Sequence, residues 1–169
     1  LYPSMQLGGS PPGLFRQAAE GVVDMVFTLP GYTSPAFPRT QMVELPGLSA
    51  DGRAATNLLW NLIDPYLKPE FQGVKVIALW AAEDAGLMTR SKPIRTLDDI
   101  KGMRMRAPSA AQSRQLAVMG ATPIAMPITD LYPSLERGVI DGAMVPFSVI
   151  LDFRLGEVAR NYTIPGPLF

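Results

Sequence analysis

Apolar and polar positions change period repeatedly along this chain, and most changes are marked by a glycine or a proline. Val22-Val23-Asp24-Met25-Val26-Phe27 is a short, mostly apolar run, which predicts a strand buried on both faces. Val74 to Trp80 reads as a second such strand, with Leu87-Met88-Thr89 continuing it after a break at Glu83 to Gly86. In Met103-Arg104-Met105-Arg106 the alternation is strict, methionines on one face and arginines on the other. Pro108 cannot donate to a ladder and ends that strand. Ile124 to Met126 and Val139 to Val145 complete the set of strands.

Between them the spacing turns helical. Leu14 to Glu20 predicts a short helix stopped at Gly21. Leu48 to about Leu67 predicts a longer one that Pro65 must kink or end. Thr96-Leu97-Asp98-Asp99 looks like a capping box, and Ser109 is placed to cap a helix from Ala110 to Met119. Thr129 can cap a helix from Asp130 to Arg137, which Gly138 stops, and Phe147 to Val158 is a last helix. The stretches Leu1 to Gly13 and Pro35 to Pro46 read as irregular, and the tail Tyr162 to Phe169 as extended. Strand and helix alternate, so the fold class is α/β with mainly parallel strands.

Two segments repeat one pattern. Glu20-Gly21-Val22-Val23-Asp24 and Glu136-Arg137-Gly138-Val139-Ile140-Asp141 each run from helix through a glycine stop and two aliphatics to an aspartate and a strand. Two lobes built from similar units, with a ligand in the cleft between them, would explain the echo. Both aspartates read as structural groups that bond nearby backbone N–H groups. Asp98-Asp99 reads as acid at a helix start, not as a metal pair.

Arg106 is the candidate that carries chemistry. It sits at the carboxyl end of a strand beside the amino end of a helix, where open α/β sheets bind ligands. A guanidinium fork and free helix N–H groups both favour an anion, a carboxylate above all. Arg104 shares its face but reads as a solvated charge. Thr28, Pro30, Gly31, Tyr32 and Trp80 lie at or just past strand ends in the first half, and Met126, Val145 and Phe147 at the equivalent ends in the second. With Ser109 as a further donor, these are the candidate ligand-binding residues.

Composition narrows the function. Lysine plus arginine equals aspartate plus glutamate at 15 each, so no basic face is implied and nucleic acid is not an expected partner. There is no cysteine and no histidine, which removes thiolate chemistry and the commonest general base and metal ligand. No nucleophile elbow, Walker loop or dinucleotide fingerprint is present, so no enzyme activity, cofactor or metal is expected. No apolar run approaches the 18 or so residues that suggest a membrane helix. Charged residues make up only 18%, where about a quarter is usual. Surface covered by something outside this sequence would account for that. The chain starts at Leu1 with no leader visible, and is read as a processed protein or a piece of one.

A family resemblance rests on several stretches in order: Tyr2-Pro3-Ser4-Met5-Gln6-Leu7-Gly8-Gly9, Gly21-Val22-Val23-Asp24-Met25, Pro93 to Gly102, Met105-Arg106-Ala107-Pro108, Gly120-Ala121-Thr122-Pro123 and Asp130 to Gly142. Over nearly its whole length the chain resembles the DctP-type solute receptors of the tripartite ATP-independent periplasmic (TRAP) transporters. The resemblance implies a two-lobed, type II periplasmic-binding-protein-like fold, incomplete here at both ends. Residues 1–80 would be part of lobe I, 81–160 part of lobe II with a hinge near 74–83, and 161–169 a strand returning toward lobe I; Asn161 to Pro165 is a second hinge candidate. It implies a periplasmic receptor that closes over a small organic acid and hands it to a membrane permease. Arg106 would clamp the carboxylate. A fragment with uncovered apolar edges could also dimerise.

The departures from the family pattern shape the ligand expectation. Many sialic-acid receptors of the family carry a second arginine near the position of Gly86, and none stands there. Val145 replaces an asparagine, and Ile128 an aromatic residue. One anion clamp with fewer polar partners favours a monocarboxylate with an apolar or aromatic body. An organic-acid sensor for a signalling partner and a small α/β enzyme acting on an organic acid are the alternative readings.

Overall fold

The computed structural model describes residues 1–165; the end of the expected extended tail, residues 166–169, lies outside them. The centre is a five-stranded sheet in the order β3-β2-β4-β1-β5, built from β1 (Ala85–Thr89), β2 (Arg104–Ala107), β3 (Thr122–Ala125), β4 (Gly142–Pro146) and β5 (Asn161–Thr163). β2 pairs parallel with β3 and β4, and β1 pairs antiparallel with β4 and β5. Four strands therefore share one direction and β1 alone runs against them. Leu87-Met88-Thr89 does not continue the Val74 run; it belongs to a reversed strand of its own, zipped along β4 from Ala85↔Pro146 to Thr89↔Gly142.

The side-chain period of two splits the core between the sheet's faces. Leu87, Met105, Ala107 and Met144 pack with Ile100 of α3 (Leu97–Ile100) and Leu116 of α4 (Ala110–Val118). On the other face Met88, Ala143 and Val145 pack with Leu131 and Leu135 of α5 (Leu131–Glu136) and with Leu155. Local chemistry sets the helix ends. Thr96 and Asp99 close a capping box on α3, and Ser109 Oγ caps α4 by accepting from Gln112 N–H at 3.1 Å. Thr129 does not cap α5; a 3₁₀ turn, Ile128–Asp130, leads into the helix instead.

The first half is looser. α1 (Leu14–Ala19) and α2 (Gly52–Leu62) are its helices. α2 starts later than the spacing suggested because Asp51 accepts from Ala54 N–H at 2.8 Å and fixes the cap there. It ends at Leu62 because Pro65 has no N–H for the i→i−4 ladder, and the chain widens into a π turn over Ile63–Leu67. The last expected helix is also broken. α6 (Val149–Asp152) stops before Arg154, whose φ of 54° is left-handed, and a 3₁₀ turn follows at Leu155–Glu157.

The largest departure concerns Val22–Phe27 and Val74–Trp80. Neither is a strand. A strand exists only where a neighbour completes its ladder, and the described residues supply none for either segment. The two lie side by side through their rings: Phe27 stacks on Trp80 with centroids 5.3 Å apart. Val22, Met25, Phe27, Ile77 and Trp80 are exposed.

Candidate functional site

Register places Arg106 opposite Ile124 on β3 and Ala143 on β4, so its side chain shares the sheet face that carries Met88, Val145, Gly86 and Tyr162. Arg106 is 3% exposed. Its Nε donates to the Met126 carbonyl at 2.9 Å, one terminal nitrogen to the Met144 carbonyl at 3.4 Å, and the other to the Tyr32 hydroxyl at 3.4 Å. A guanidinium has five N–H donors, so three acceptors leave the fork short. No carboxylate forms an ion pair with it among the described residues. Burial pushes its pKa down and the Tyr32 hydroxyl offsets part of that, yet an arginine stays charged. A buried cation with dipoles for partners is costly until an anion joins it.

Arg104, two residues earlier, is exposed, as its sequence suggested, and it is ion-paired. Asp141 takes its backbone N–H at 2.8 Å and its guanidinium at 2.8 Å. Asp141 thus has the structural role its sequence suggested; Asp24 has no hydrogen-bonded partner of this kind among the described residues.

A cleft of about 460 Å³ opens between the two halves of the chain, lined by Gly31, Tyr32, Ser34, Pro108, Ser109 and Ala125 among others; Arg106 does not line it and connects to it through the Tyr32 hydroxyl. Hydrogen bonds cross its walls. The Tyr32 hydroxyl accepts from Ile128 N–H at 3.0 Å as well as from Arg106, and Ser34 Oγ accepts from Ala110 N–H at 3.1 Å. The structure therefore brings Arg106, Tyr32, Gly31 and Ser109 together. Pro30 opens the 3₁₀ segment that carries Gly31 and Tyr32, while the Thr28 hydroxyl points back to the Pro11 carbonyl at 3.4 Å. Met126 contributes its carbonyl to Arg106 and packs its side chain against the α5-side core. Trp80 is 54% exposed, stacks on Phe27 and does not line this cleft.

On the far side of Val145 lies an aromatic pair. The Tyr162 ring lies over Gly86, where a Cβ would stand 2.3 Å from its Cζ. Its hydroxyl accepts from Gly86 N–H at 3.0 Å and donates to the Val145 carbonyl at 2.9 Å. Phe147 meets that ring edge-on at 5.5 Å. At Gly86, where no arginine stands, a tyrosine ring covers the backbone. Tyr162, Ser34 and Glu44, whose carboxylate accepts from Ser109, were not singled out by sequence. For Glu44 the available signal was an acid set among Met42, Val43, Leu45 and Pro46.

Comparison with known proteins follows the same lines. A TRAP solute-binding protein from Rhodoferax ferrireducens, solved in complex with copurified benzoate, superposes with a TM-score of 0.93 at 36% identity, covering 98% of this chain and 53% of that one. A marine-metagenome TRAP solute-binding protein specific for aromatic acid ligands, solved with 3-hydroxybenzoate, gives 0.90 at 36% identity over 94% of this chain and 50% of its own. The sialic acid-binding periplasmic protein SiaP of Vibrio cholerae is 28% identical over 172 residues, 95% of this chain and 51% of the relative. The chain spans about half the length of the curated relatives it matches. The pattern of the bacterial extracellular solute-binding proteins, family 7, matches residues 1–168, and the chain belongs to that family.

Proposed function

We propose that the whole protein is a periplasmic receptor that captures a small organic acid, an apolar or aromatic monocarboxylate, and delivers it to a TRAP-type membrane permease. Residues 1–80 and 81–160 contribute to two lobes that close about Val74 to Glu83. The observation that carries this reading is the buried Arg106 fork with no carboxylate of its own. A ligand carboxylate supplies the missing anion. Phe147, which is exposed, and the Tyr162 ring it packs against offer an apolar surface for the rest of the ligand, while Val145 is fully buried in the core beneath. The benzoate and 3-hydroxybenzoate bound by two structural relatives support an aromatic acid.

Magnitudes divide the work. A charge-assisted hydrogen bond contributes about 1.5–3 kcal/mol net, while micromolar binding needs about 8 kcal/mol. Arg106 therefore sets orientation and the demand for an anion, and apolar burial with closure supplies most of the affinity.

Thermal shift of the chain and of Arg106→Ala tests this against benzoate, 3-hydroxybenzoate, a sialic acid and a dicarboxylate. An aromatic acid at 100 times its Kd should add about 2.7 kcal/mol of stability, and the variant should lose the response. Tight binding of the sialic acid or the dicarboxylate, with no aromatic acid bound, would overturn the assignment. Turnover of the bound acid would overturn the receptor reading altogether.

A further inference from the structure

The seam between the halves contains a carboxylate that the anion site does not use. Glu44 ends the 3₁₀ turn Thr40–Glu44. Its carboxylate accepts a hydrogen bond from the Ser109 hydroxyl, and its main-chain carbonyl accepts from Gln115 Nε2 at 2.5 Å. Both partners lie in the other half of the chain. Gly31 makes room for the contact: a Cβ there would stand 2.9 Å from Ser109 Cβ and 3.1 Å from Glu44 Oε1. A hydroxyl has one hydrogen to give, and Ser109 gives it to Glu44 while accepting from Gln112 N–H. In this arrangement Ser109 has no hydrogen left for a ligand; it caps α4 and ties the seam.

We infer that Glu44 is a positioning residue for ligand capture, a latch that fastens the first half of the chain to the Ser109 end of α4 as the cleft shuts. This rests on the receptor reading above. Shutting the seam strips water from a carboxylate and returns one hydroxyl. Burial accordingly pushes the Glu44 carboxyl up from the ordinary range, with the Ser109 hydrogen bond offsetting part of the rise. The elements packed around it carry Tyr32 on the preceding 3₁₀ segment, Arg53 on α2 and Arg114 on α4, with Arg39 just before its own turn. Among the described residues none of these arginines forms an ion pair with it.

The chain has no histidine and no cysteine, and the other displaced carboxyls, Glu83, Asp99, Asp141 and Glu157, are all pushed down. A proton taken up on closure above the ordinary carboxyl range therefore points to Glu44.

The test is calorimetric titration of benzoate into the chain, Glu44→Gln and Arg106→Ala from that range upward. The parent should bind more weakly as pH rises, by up to about tenfold per unit, with proton uptake. Glu44→Gln keeps the hydrogen-bond acceptor and should bind with no pH slope, while Arg106→Ala should lose binding at every pH. A flat parent, or a slope unchanged in Glu44→Gln, would overturn the latch. Absence of benzoate binding by the parent would count against the receptor reading, and unfolding would then decide the latch alone. A carboxyl whose folded value is raised destabilises the fold as pH climbs from its ordinary value of about 4.5. The parent should lose stability over that climb and Glu44→Gln should not; equal slopes would overturn the proposal.

Discussion

The helix ends at Gly21 and Gly138 are built alike. Each glycine has a left-handed φ, 72° and 70°, and each gives the same pair of bonds. Gly21 N–H and Val22 N–H donate to the carbonyls of Ala18 and Gln17, and Gly138 N–H and Val139 N–H donate to those of Leu135 and Ser134. Beyond that point the copies part. After Gly138, Asp141 binds Arg104 and the chain enters β4 between β2 and β1, where Ala143, Met144 and Val145 are fully buried. After Gly21, Val22, Met25 and Phe27 stay exposed and no ladder forms. Six residues specify how a helix stops. Whether the next residues become a strand is decided by partners dozens of positions away.

The largest effect that sharpens this contrast is Leu135→Ala. Leu135 is fully buried in the α5-side core, and its truncation should cost about 2–5 kcal/mol in denaturant unfolding. A loss under about 1 kcal/mol would mean that the second copy is no better anchored than the first. Asp141→Asn should come next. The Arg104 hydrogen bond holds the Asp141 carboxyl below its ordinary value of 3.8, so its contribution is present above that pH and is lost as acid titrates it through the lowered value. The pair is well exposed, which limits the effect to less than about 1 kcal/mol. The gap between parent and variant should close on acidification; a gap that widens in acid would refute the assignment. Ile77→Ala should be smallest. Ile77 is 70% exposed, and the change should stay within about 0.5 kcal/mol. A larger loss would show that the Val74–Trp80 segment is packed in solution after all.

What was legible in the sequence follows the same division. Arg106, Pro108 and Ser109 were read correctly as strand residue, stop and cap because each signal lies within a few residues of its effect. The glycine stops and the Thr96 capping box were readable for the same reason. The reversal of β1 was not, since direction depends on which strand it zips against. Nor was Glu44, whose partner Ser109 lies 65 positions on. The role of Met126 was half visible: its place at a strand end could be read, but the group that meets the guanidinium is a carbonyl, which every residue possesses.

The close fit of Tyr162 over Gly86 has a consequence for substitution. Any side chain at 86 must evict the ring, since even a Cβ would sit inside it. Evicting the ring also strips the Gly86 N–H and the Val145 carbonyl of their shared partner and removes the support beneath Phe147. The two positions are therefore an exclusive choice. Placing any larger residue at 86 calls for a change at 162 as well, and each single change leaves a clash or a void. One-at-a-time mutagenesis at either position should find mainly damaged proteins, and paired substitutions should keep the fold better.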